Sequence, residues 1–67
     1  MATKKKPVVV DRVVVYKDQA GEWRWKAIAE NGKVVADSGE GYRNRIYAAR
    51  VAGDLYPYAS LEWGMRS

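Results

Sequence analysis

Apolar residues enter the chain abruptly at Val8. The stretch VVVDRVVVYKD is β-branched almost throughout, which suits a pleated backbone and crowds a helical one. Val13 to Tyr16 is apolar at every position, so both faces of this strand need cover, one from a helix and the other from something else. Asp11 and Arg12 interrupt the run, which predicts a bend, bulge or edge segment there. Residues 18–22, DQAGE, form a turn cluster in which Gly21 is free to take positive φ. EWRWKAIA then alternates: Trp23, Trp25, Ala27 and Ala29 share one face, and Glu22, Arg24, Lys26 and Ile28 the other. Asn31-Gly32 is the strongest short hairpin signal in the chain and reads as a type I′ turn. A short strand over Lys33 to Ser38 completes a three-stranded antiparallel β-meander.

After the two glycines of SGEGY, residues 38–42, the period changes. Ala48, Val51, Ala52 and Leu55 fall at i, i+3, i+4 and i+7, one face of a helix. Arg43, Asn44 or Arg45 starts it, with Asn44 the best capping side chain. Gly53 weakens the last turn, and Pro57 ends the helix at or before Tyr56. The tail holds Tyr56, Tyr58, Leu61 and Trp63, too apolar for solvated coil. It reads as a packed, structured C-terminal extension with room for a short strand at Ser60 to Trp63. The expected fold class is α+β, a three-stranded antiparallel meander packed on one α-helix with that extension.

At 67 residues the chain is one small domain, which buries only about 60% of its unfolded surface. Disulfides, a metal or a partner subunit usually support such folds. Cysteine and histidine are both absent. That removes disulfides, thiolate and imidazole metal ligands, a cysteine nucleophile and every Ser-His triad, and no cofactor is expected. Oligomerisation, or dense packing of three tryptophans and five tyrosines, is left. Net charge is +4 and the pI about 9.6, but Lys4, Lys5 and Lys6 form one run before Pro7. The rest carries nine positive and eight negative side chains. Residues 1–7 therefore read as a disordered basic arm and residues 8–67 as a single α+β domain, and the pI is weak support for a nucleic-acid-binding face. No apolar run approaches a membrane span or signal-peptide core, so no membrane association is expected and the cytoplasm is the default.

The string VVYKDQAGEWRWKAIAENGKVVADSGEGY resembles the YegP-like family of small bacterial domains. The features that carry the resemblance are Tyr16-Lys17-Asp18, Trp23-Arg24-Trp25, Asn31-Gly32, and the closing Ser38-Gly39-Glu40-Gly41-Tyr42. It covers about 30 residues, nearly half the chain, and fades after Tyr42. It implies a three-stranded antiparallel sheet on a helix and, for a single copy, a homodimer. It implies no activity. The compact single-copy form also suits a small phage- or mobile-element-derived protein.

The chemistry-bearing side chains point away from catalysis, and the chain is not expected to be an enzyme. Asp11, Asp18, Glu22, Glu30, Asp37, Glu40, Asp54 and Glu62 sit mostly in turns or at element ends, with no pair spaced to share a proton or a divalent ion. Ser38-Gly39-Glu40-Gly41 lacks the lysine of a phosphate loop and the third glycine of a dinucleotide fingerprint. The face holding Arg24 and Lys26 also holds Ile28, with Val14 and Tyr16 across the hairpin. Those apolar members tilt it toward a dimer seam, with Trp23 and Trp25 as the bulk of core or interface. The expected function is a non-catalytic homodimeric protein-interaction module of unknown partner. The alternative is weak electrostatic nucleic-acid binding through Lys4, Lys5, Lys6, Arg24, Lys26, Arg43, Arg45 and Arg50.

Overall fold

The computed structural model of the protein describes residues 9–64. The expected basic arm, with Lys4, Lys5 and Lys6, lies outside the described residues. The elements are β1 (Val10–Lys17), β2 (Trp23–Ala29), β3 (Val34–Asp37), α1 (Arg45–Leu55) and β4 (Ser60–Trp63). They build an α+β fold whose sheet has the order β3-β2-β1-β4. β1 to β3 form the expected antiparallel meander. The extension forms the short strand expected at Ser60 to Trp63. The sheet itself differs from the three-stranded expectation: this strand joins it beside β1 and parallel to it, so the sheet is four-stranded and mixed. The direction follows from chain order. β3 runs the same way as β1, α1 carries the chain back, and β4 must then run along β1.

Both hairpins close by one device. Asp18 N–H donates to the Glu22 carbonyl and Gly21 N–H to the Asp18 carbonyl; Ala29 N–H donates to the Lys33 carbonyl and Gly32 N–H to the Ala29 carbonyl. Gly21 and Gly32 have φ of 86° and 88°, a left-handed conformation that glycine takes without a Cβ penalty. Asn31 has no positive φ, so its hairpin is not the expected type I′ turn but a three-residue loop closed by a left-handed glycine. The Asn31 side chain accepts from Lys33 N–H instead. In β1 the register passes from Val10 opposite Ala29 to Arg12 opposite Ile28, which leaves Asp11 as a bulge, one of the irregularities (bend, bulge or edge segment) expected at Asp11 and Arg12.

The core lies between the sheet and α1. Val13 and Val15 from β1, Trp25 and Ala27 from β2, and Ala48 and Ala52 from α1 form one buried cluster. Two alanines on the helix let its backbone approach the sheet closely, and Trp25 is the largest side chain of the cluster. Tyr56, just past the helix, meets the Trp25 ring edge-on with centroids 5.8 Å apart. Val51 is half-buried and Leu55 exposed, so the expected helix stripe loses cover in its last turn. Asn44 caps the helix, its Oδ1 accepting from Ile46 and Tyr47 N–H, and the last helical residue is Leu55.

Candidate functional site

The residues expected at a dimer seam fall on both faces of the sheet. Val14, Tyr16 and Ile28 face away from the helix, in register with Lys26, Arg24 and Arg12 respectively. Trp25 belongs to the core under the helix and is only 4% exposed, so it offers a partner almost no surface. Trp23 lies on Trp25's face at the core margin, bridged to Tyr42 in both directions through main-chain hydrogen bonds. Strand alternation placed the two tryptophans together; it could not say that one helix would cover only one of them fully.

On the open face the charges are engaged with near neighbours. Arg24 Nε donates to Asp18 Oδ2, and Asp18 Oδ1 accepts from Glu22 N–H. Both contacts favour the carboxylate, the Arg24 bond more, and hold Asp18 below its ordinary pKa. The same pairing raises Arg24. Lys26 Nζ lies 5.2 Å from the centre of the Tyr16 ring, and Arg12 pairs with Glu62 at 3.2 Å. Arg24 and Lys26, candidates for phosphate contact, therefore already have partners within the sheet.

The helix arginines are placed differently. Arg43, Arg45 and Arg50 are exposed. Arg45 stacks over Trp63 with its guanidinium 5.6 Å from the ring centre, while Arg43 and Arg50 make no ion pair among the described residues. Among the described residues no group of three or more His, Cys, Asp or Glu is placed to hold a metal ion. No helix among them is long and apolar enough to cross a membrane.

Several exposed apolar side chains lie on the β4 side. Leu61 and Trp63 pair in register with Val13 and Val15, so they stand on the helix face of the sheet, yet they remain 40% and 54% exposed. At the other end of β4, Leu55 is 57% and Tyr58 99% exposed. With Val9 they line a shallow apolar hollow of about 340 Å³. The apolar character of Leu61 and Trp63 was legible in the tail. The exposure of Leu55, and of Ile46 and Tyr47 on the helix, was not singled out, although Ile46 and Tyr47 stand off the buried helical stripe.

Comparison with known proteins agrees with the region of resemblance. A family model described as Domain of unknown function (DUF1508) matches residues 18–50. The match runs from the first hairpin loop through β2 and β3 into α1, and leaves out β1 and β4. No curated protein and no solved structure matches the chain. Over residues 18–50 the chain is thus similar to the DUF1508 family, to which the YegP-like domains belong.

Proposed function

We propose that this chain is a non-catalytic, homodimeric protein-interaction module working in the cytoplasm. One observation carries the reading: the core closes over Trp25 with valines and alanines, while other large side chains stay outside. Trp25 and Val15 are 4% and 0% exposed, whereas Leu55, Tyr58, Leu61 and Trp63 are 40% to 99% exposed on the β4 side. A symmetric partner seated there covers them, and obligate interfaces of this kind bury on the order of 2,000 Å². This moves the seam from the open face, where Ile28 is already buried and the arginines are paired, to β4 and the helix end. The absence of histidine and cysteine supports the non-catalytic part.

Light scattering coupled to size exclusion tests the assembly. The expected mass is twice the 7.6 kDa of the chain, falling to a single chain for Leu61→Lys. A well-folded 7.6 kDa particle at high concentration sinks the reading. Weak electrostatic nucleic-acid binding is the second reading, favoured by the exposed Arg43 and Arg50, which make no ion pair among the described residues. Under it, affinity for a short single strand falls steeply with added salt.

A further inference from the structure

The helix turns its alanines to the sheet and a different kind of surface to solvent. At 100° per residue, Ile46, Tyr47 and Arg50 lie opposite the buried Ala48 and Ala52. Arg43 stands just before the Asn44 cap, at the start of the helix. Ile46 is 58% and Tyr47 54% exposed, an unusual residue pair for the outermost face of a helix. With Asn44 and Arg50 they line a shallow hollow of about 410 Å³.

Two features make this face more than a stray apolar patch. The first is rigidity. The Tyr47 ring is held edge-to-face against Tyr42, centroids 5.2 Å apart, and the Tyr42 backbone is tied in both directions to Trp23. Tyr47 is an anchor whose conformation is set before anything binds. The second is charge. Residues 9–64 carry eight positive and eight negative side chains, yet no acidic residue lies between Glu40 and Asp54, where three arginines stand. The described domain is neutral as a whole and polarised within. Arg12 and Arg24 are neutralised by ion pairs; Arg43 and Arg50 have no ion pair among the described residues.

We infer that this outer helix face docks an acidic segment of another protein. Carboxylates of the segment pair with Arg43 and Arg50, and a large apolar side chain between them fills the hollow against Ile46 and Tyr47. Arginine and tyrosine around an apolar centre is the composition of protein-binding hot spots. A phosphate-tracking surface needs a sustained excess of positive charge, which a neutral domain does not supply. The inference rests on the interaction-module reading and names the partner class and the surface for it.

The probe is a random peptide library of about twelve residues, panned against the full chain. Selected peptides are then titrated by fluorescence anisotropy, beside a thymidine oligonucleotide of about twenty nucleotides. The expected peptides are rich in Asp and Glu around a large apolar residue. Binding weakens about tenfold or more for the double variant Arg43→Glu, Arg50→Glu and for Tyr47→Ala, and is unchanged for Leu61→Lys. All substituted side chains are exposed, and acids near a helix start are favourable, so the double variant should keep its far-UV spectrum and melting point. Tyr47→Ala reports independently of charge. Peptides without acidic enrichment, or bound equally by both helix variants, overturn the site while leaving an interaction module standing elsewhere. Recovery of no peptide at all overturns both. Oligonucleotide binding as tight as the best peptide, lost with the same arginines, assigns the face to nucleic acid and overturns the proposal.

Discussion

Asp18 shows how much one side chain can hold in a domain this small. One carboxylate oxygen fastens the first hairpin loop through Glu22 N–H, and the other holds Arg24 on the open face. Because these contacts favour the charged form, the folded pKa lies below the ordinary 3.8. Its contribution to stability is therefore present above that value and lost as pH falls through the lower folded one. Asp18→Asn keeps an acceptor for the loop and removes the charge. It should melt a few degrees below the parent at neutral pH, with the gap closing as both are acidified below about pH 4. Melting curves that stay parallel down to that range would show that the ion pair carries no such linkage. Trp25 presents the opposite case. Its indole N–H is buried with no hydrogen-bond partner, so tryptophan stands there for volume.

Among the elements, the helix is the one held least by its own sequence. It has no acidic residue in the first turn and no basic residue in the last. Arg45 and Asp54 stand at the ends where each opposes the helix dipole. An eleven-residue helix is marginal alone, so burial of Ala48 and Ala52 and the Asn44 cap must sustain it. Removing the cap in Asn44→Ala should cost about 1 kcal/mol, read as a lower urea midpoint at unchanged slope. Asn44→Asp keeps the cap and adds the missing negative charge, and should be at least as stable as the parent. An alanine variant with the parent's midpoint would mean that the cap contributes nothing. The strands are more legible: alternation in β2 separated Trp25 and Ala27 from Arg24 and Lys26, and Asp11 marked the bulge in β1.

For the whole molecule, β4 decides both completeness of the sheet and what remains outside it. It covers the edge of β1, adds the Arg12–Glu62 pair, and leaves Leu61 and Trp63 in view. A chain ending at Ala59 should lose more thermal stability than Asn44→Ala and should run as a monomer in light scattering. Retention of both the parent melting point and the dimer would remove β4 from fold and assembly alike. The outer helix face is independent of this edge, so the truncated chain, where it still folds, should keep its affinity for acidic peptides.

What the amino-acid sequence determined by itself was local. Gly21 and Gly32 close hairpins, Asn44 opens the helix and Pro57 follows its end, and alternation assigns each strand's faces. These signals act through backbone dihedrals and through periods of two or 3.6 residues, so each is contained in a few neighbouring side chains. The tertiary structure alone decided that Ser60–Trp63 pairs with a strand some fifty positions earlier. It also decided that Trp25 is covered while Leu55 is not, and that Ile46, Tyr47 and Arg50 line one outward hollow together. Those outcomes depend on which distant segments meet and how far one short helix reaches across a four-stranded sheet, and no local pattern encodes that distance.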